Sequence, residues 1–176
     1  MTDIEAAPLR QRFLDGMSHA ACTVSIVATD GPAGRFGVTV SAMSSVSADT
    51  PQPTLLVCIH HLSRAAQAIA DNGVFCVTVL RDDQSRISDS FAGRLPPADG
   101  DKFACADWTT GATGAPLVAD PLVAFDCRVL SIQQIGTHRI ILGSVEAIAR
   151  GSGGSPLIYA NRAYGSIARL GDTPAH

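Results

Sequence analysis

The sequence predicts a mainly β protein, an antiparallel barrel or sandwich carrying a few short helices. Three observations lead there. Six or seven apolar, strand-like runs follow one another at short spacing. The two longest, Leu122 to Ile135 and His138 to Arg150, are separated only by Gly136-Thr137, a connection too short for anything but an antiparallel pair. The helical segments do not alternate regularly with the strands, which disfavours a doubly wound parallel sheet.

Taken in order, Leu9, Phe13 and Met17 recur every four residues and mark a short amphipathic helix. Cys22 to Thr29 reads as a strand, with Val24, Ile26 and Ala28 on one side and Thr23, Ser25, Val27 and Thr29 on the other. Asp30 to Gly34 is a turn cluster leading into a partner strand, Arg35 to Ser41. Ala42 to Pro53 reads as a polar loop of small residues, and Thr54 to His60 as a β-branched buried strand. Ser63 suits the N-cap of a helix over Arg64 to Asp71, which Asn72-Gly73 ends. A strand over Val74 to Leu80 precedes a short helix, Asp83 to Phe91, closed by Gly93. Arg94 to Gly114 is loop-rich. After the long strand pair, Gly151 to Gly154 turns the chain into Pro156 to Tyr159, and Asn161 to Leu170 is a short mixed tail. No internal repeat or second domain is visible, so residues 1–176 read as one domain, with tails at 1–8 and 171–176.

The composition excludes several functions. With 176 residues and 46% apolar content the chain can bury a core, and whole-chain disorder does not fit. Only 16% of residues are charged, as when part of the surface is covered in an oligomer. The 13 basic residues are scattered in a chain of net charge −3, so nothing points to nucleic acid. Met1 to Arg12 lacks a signal peptide's apolar segment, and no run of 18 apolar residues exists to span a membrane. A cytoplasmic location follows as the expectation. The five cysteines, at 22, 58, 76, 105 and 127, form no CxxC pair and read as small buried hydrophobes in a reducing compartment. His60 and His61 are neighbours at a strand end and should point to opposite faces, which with no HExxH or carboxylate cluster argues against a metal. GxGxxG, P-loop and GxSxG motifs are absent.

One segment stands out. Gly37 to Ser47 leaves a strand into a stretch dense in hydroxyls and small residues, where a planar ligand can approach the backbone and hydroxyls can meet phosphate oxygens. Ser63-Arg64 at a helix start adds free N–H groups, the helix dipole and a guanidinium, which together make an anion site. These features suit a phosphorylated cofactor. Phe91 and Phe103 read as packing residues that also touch ligand, and Trp108 as structural. Asp126 and Arg128, at i and i+2 on a strand, suggest an ordinary ion pair.

The order of Gly37 to Ser47, Leu55 to Ile59 with Ser63-Arg64, Ser90-Phe91-Ala92-Gly93, Gly136-Thr137-His138 with Ile141-Leu142-Gly143, Pro156 to Tyr159 and Arg162-Ala163-Tyr164 resembles the short-chain flavin reductases. Those enzymes supply reduced flavin to two-component aromatic monooxygenases, and the resemblance runs from about residue 10 to 168. It implies a Greek-key split β-barrel, a homodimer with flavin near the interface, FMN or FAD as cofactor, NADH or NADPH as substrate, and a partner oxygenase. Position by position, it implies that Thr39, Val40, Ser41 and Ala42 line the isoalloxazine ring and that Ser45 and Ser47 meet the ribityl-phosphate arm. Ser63 and Arg64 would hold phosphate, and Phe91, Ala92 and Gly93 would pack near the flavin or adenine. His138 would contact the nicotinamide nucleotide, and Tyr164 would lie near the ring. His60 stands where relatives often carry Asn or Gly, close to the flavin. The implied chemistry is hydride transfer from nicotinamide C4 to flavin N5, with the protein aligning the rings. Two other readings stay open: a flavin-binding electron carrier without turnover, and a split-barrel oxidase of the pyridoxine-phosphate type. The oxidase calls for a richer set of Arg and Lys contacts to a second phosphate, whereas Arg81, Arg86, Arg94 and Lys102 are available but form no obvious cluster.

Overall fold

A computed structural model describes residues 8–168 of the chain. The tails expected at 1–8 and 171–176 fall outside it, apart from Pro8, as do the last two residues of the mixed tail. The elements run α1 (Leu9–Ser18), β1 (Cys22–Thr23), β2 (Ser25–Thr29), β3 (Phe36–Val40), β4 (Met43–Ser47), β5 (Thr54–His60), α2 (Arg64–Asn72), β6 (Val74–Val79), α3 (Ser85–Phe91), β7 (Trp108–Thr110), β8 (Pro116–Val118), β9 (Val123–Ile135), β10 (His138–Arg150), β11 (Ile158–Ala160) and β12 (Ala163–Gly165). Short 3-10 turns precede α3 and occupy part of the loop before β7.

Seven strands form one antiparallel sheet in the order β3-β2-β6-β9-β10-β5-β4. Its two edges, β3 and β4, are halves of one stretch of chain joined by Ser41-Ala42. The first half pairs with β2, Val40 opposite Ser25, and the second with β5, Met43 opposite Val57. A flat sheet of seven strands would hold its edges about 29 Å apart. The link between Val40 and Met43 spans at most about 11 Å. The sheet is therefore rolled, and the shared strand brings its edges together. The expected polar loop at 42–53 is corrected here, because its first part is β4. Ser44, Ser45 and Val46 are exposed along this edge strand, so the buried-strand pattern is missing.

Rolling gives β2 two buried faces. Val27 joins Val57, Ile59, Phe75 and Ile141 in the interior core, while Val24, Ile26 and Ala28 pack outside with Leu80, Phe91, Phe103 and Val118. The two faces assigned from the sequence thus correspond to two cores. α2 lays Ala66 and Ile69 against the interior cluster and stops at Gly73, whose φ of 71° is left-handed. α1 forms where its four-residue spacing predicts, yet buries none of its residues: Leu9, Phe13 and Met17 stay exposed.

Two further expectations change. The loop-rich 94–114 segment ends in β7, which makes a small hairpin with β8. Asp126 does not pair with Arg128. Its carboxylate is buried and accepts hydrogen bonds from the Thr113 backbone N–H and hydroxyl, while Arg128 is exposed. A buried carboxylate needs its acceptor sites filled, and the β7–β8 turn supplies the donors. Of the five cysteines, all unpaired, Cys76 and Cys127 are buried, and Cys22, Cys58 and Cys105 only half-buried.

Candidate flavin and nucleotide site

β3 and the C-terminal end of α3 border two neighbouring clefts. Phe91 of α3 lies over Gly37 so closely that a Cβ there would come within 2.6 Å of the Phe91 ring. That glycine lets helix and strand meet, and Phe91 is fixed behind it by Phe103 and Trp108, with ring centroids 5.0 and 5.4 Å away. Trp108 donates its indole N–H to the Phe103 carbonyl at 2.8 Å, in keeping with a structural role.

The first cleft, of about 190 Å³, is walled by Thr39, Val40 and Ser41 on one side and by Ser88, Ala92, Arg94, Tyr159 and Tyr164 on the other. Thr39 donates its hydroxyl to the Ser88 carbonyl at 2.7 Å, and Val40 turns its side chain into the interior core. The Tyr164 hydroxyl is the centre of a polar knot: it lies 2.8 Å from both Ser88 Oγ and Asp89 Oδ1, and accepts from Arg94 at 3.0 Å. Burial, with the Asp89 carboxylate as a further contributor, raises the Tyr164 phenol above its ordinary range. Arg94 also pairs with Asp89 at 3.1 Å, which raises the guanidinium further.

The second cleft, of about 400 Å³, lies between the start of β3, the start of α2 and residues 100–103. Ser63, Arg64, Phe91, Arg35 and Lys102 line it. Arg64 lies over the Phe36 ring at 4.7 Å and Arg35 over the Phe103 ring at 4.0 Å. Among the described residues none of these three cations enters an ion pair. Ser63 makes no side-chain capping bond to α2, so its hydroxyl remains available, whereas the Ala66 N–H of the first turn is taken by the Ser63 carbonyl at 3.0 Å.

His138 opens β10 directly opposite His60, the last residue of β5. The His61 N–H donates to the Thr137 carbonyl at 2.9 Å, and the Ser63 N–H to the His60 carbonyl at 2.9 Å, so the hairpin tip and the start of α2 share one corner. His61 has left the strand, so the expected opposition of His60 and His61 gives way to rings 5.0 Å apart. Among the described residues no group of three or more His, Cys, Asp or Glu side chains is arranged to hold a metal ion.

The structure therefore gathers Thr39, Val40, Ser41, Ala92 and Tyr164 at one cleft and Ser63, Arg64 and Phe91 at the next, with His60 and His138 at the adjoining corner. Gly93 follows Ala92 out of α3. The Ala42 carbonyl is taken by the Cys58 N–H, which continues the β4–β5 ladder. Ser45 and Ser47 lie along β4 and line neither cleft. Sequence reading missed Arg35, Ser88 and Tyr159 as lining residues and weighed Lys102 and Arg94 only as phosphate contacts for the oxidase alternative. Only the run Ser90 to Gly93 hinted at their meeting place.

These residues fit a flavin nucleotide. Hydroxyls and unpaired cations suit a phosphate, and a narrow slot between a strand and two tyrosine rings suits the edge of a planar ring. A rolled antiparallel sheet bordered by such paired clefts can accommodate a flavin beside a second nucleotide. The chain belongs to the flavin reductase like domain family, whose model matches residues 17–168. It is 44% identical over 159 residues to the FMN reductase (NADH) RutF of Ancylobacter novellus, covering 90% of this chain and 86% of that one. RutF of Escherichia coli K12, also an FMN reductase (NADH), is 41% identical over 160 residues, covering 91% and 95%. Among solved structures, BorF, the flavin reductase component of a bacterial two-component tryptophan halogenase, superposes with a TM-score of 0.80 at 27% identity, covering 91% of this chain and 99% of BorF.

Proposed function

We propose that this protein uses NADH to reduce FMN and hands the reduced flavin to a partner oxygenase. The observation that carries the reading is the cleft where Ser63, Arg64, Arg35 and Lys102 converge beside the tyrosine-walled slot. The similarity to two FMN reductases (NADH) supports the choice of cofactor and substrate. The similarity to a flavin reductase component of a two-component system supports the partner. When bound, the flavin supplies the hydride acceptor for the nicotinamide. The chain's own residues bind and align. Ser63, Arg64 and the start of α2 hold phosphate, while Thr39 and Ser41 edge the ring slot against Tyr164. His138 orients the nicotinamide nucleotide. No side chain need move a proton for the hydride step, so the contribution of the protein is proximity and electrostatic alignment. Exposed Leu9, Phe13 and Met17 on α1, with Leu130, Ile135 and Ile148 on the β9–β10 hairpin, support a homodimer that covers them.

The test is NADH oxidation with FMN, with FAD and without flavin. Flavin-dependent turnover that favours FMN is expected. Tight FMN binding without turnover with either NADH or NADPH would replace this reading with a flavin carrier.

A further inference from the structure

The corner where β5 meets β10 holds three imidazoles and, among the described residues, no carboxylate paired with them. His60 and His138 are direct cross-strand partners, so their side chains share one face of the ladder. Their ring centroids are 5.2 Å apart and nearly perpendicular, and both residues are exposed. The His60 ring is held in two ways. The Leu62 N–H donates to its Nδ1 at 3.2 Å, and the His61 ring lies behind it, tilted by 35°. A neutral imidazole that accepts at Nδ1 carries its proton on Nε2. The loop therefore favours the tautomer of His60 that presents an Nε2–H donor beside His138. Among the described residues none of the three histidines enters an ion pair, so no acidic side chain competes for that donor.

We infer that His60 is a second hydrogen-bond donor to the nicotinamide nucleotide, forming with His138 a pair of imidazoles that clamps one acceptor group, a carboxamide or phosphate oxygen. The inference rests on the reductase reading for the identity of the nucleotide. It adds a binding role for His60 that is distinct from contact with the flavin. The main-chain bonds from His61 to Thr137 and from Ser63 to His60 keep the clamp beside the phosphate-binding end of α2.

The test uses titrations of NAD⁺, which cannot donate hydride, and of FMN, alongside the KM for NADH. His60→Ala is expected to weaken NAD⁺ binding and raise KM by about tenfold, the effect of one lost hydrogen bond, with FMN affinity within twofold of wild type. His60→Asn, which keeps an N–H donor, is expected to recover most of the loss. In the double variant with His138→Ala the two effects should fall short of multiplying, because both donors serve one group. A shift in FMN affinity in place of NAD⁺ affinity, full multiplicativity, or unchanged NAD⁺ binding in His60→Ala would each overturn the clamp. Wild-type protein that binds NAD⁺ without flavin-dependent turnover would overturn the reductase reading alone.

Discussion

Arg64 and Arg35 rest on aromatic faces where carboxylates would more commonly hold them. Stacking orders a guanidinium without cancelling its charge, so both remain ready for an incoming anion. Replacing Arg64 with alanine should cost FMN binding about 1–3 kcal/mol, read by quenching of flavin fluorescence. Unchanged affinity would remove Arg64 from the site. Arg64 was legible because a helix start announces an anion site in the sequence. Arg35 was not, and Lys102 entered only under the oxidase alternative, because they come from distant stretches that only folding brings together. The same holds for Tyr164 with Asp89 and Arg94: a lone tyrosine and two surface-looking charges carry no signal until the chain is closed. The thiols tell a simpler story. Burial pushes Cys127 up to about 12 and raises Cys76 as well, with the Asp126 carboxylate adding to both shifts. A raised thiol withholds its reactive thiolate. Alkylation of native protein near pH 8, mapped by mass spectrometry, should therefore spare Cys76 and Cys127 until the chain is unfolded. Early labelling of either would contradict their burial.

At the scale of the elements, the contact between β3 and α3 decides the shape of both clefts. Gly37→Ala would drive a methyl group into the Phe91 ring, which Phe103 and Trp108 prevent from retreating. The expected cost is about 1–3 kcal/mol of stability, seen as a lowered urea midpoint, together with weaker FMN binding. A variant of wild-type stability would show that the helix can shift freely. Most elements were readable: β5 and β10 span the residues their patterns mark, because long β-branched runs bounded by turns leave little choice. β4 was hidden by its serines, since an edge strand exposed to solvent need not show an apolar face. β7 and β8 were hidden by length, as three residues are too few for alternation to be read. The Asp126 error has a different origin. Position on a strand gave the wrong partner, because the donors arrive from a loop whose path the local pattern does not specify.

For the molecule as a whole, the fold class was accessible because the two-residue link at Gly136-Thr137 and the lack of βαβ alternation excluded the main alternatives. The rolling was implied only by the resemblance to split-barrel enzymes; the local pattern did not show how it closes, since that depends on which strands the segment at 36–47 joins. Stability at low pH should depend on the cluster around Arg81, which ties the end of β6 to Asp83 and to Asp120 in the turn before β9. Asp120 also accepts from the Ser152 N–H and hydroxyl, and these bonds, with Arg81, hold its carboxyl below the usual range. Arg81 does the same to Asp83. A depressed folded-state pKa gives stability that is present above the unfolded value and lost as pH falls through the folded one. Urea midpoints should thus drop below about pH 4, less steeply in Asp120→Asn than in wild type, and the difference should shrink at high salt. Parallel curves would assign the acid loss to other groups. One stretch of chain has a consequence for all of this. β3, β4 and the link between them close the sheet and also carry Thr39 and Ser41 to the cleft, so the seam cannot part without dismantling the cleft. Occupancy of the cleft and closure of the sheet are then linked equilibria: ligand would slow amide hydrogen exchange along 36–47 on both sides of the link, including at Ser44 and Ser45, which line neither cleft.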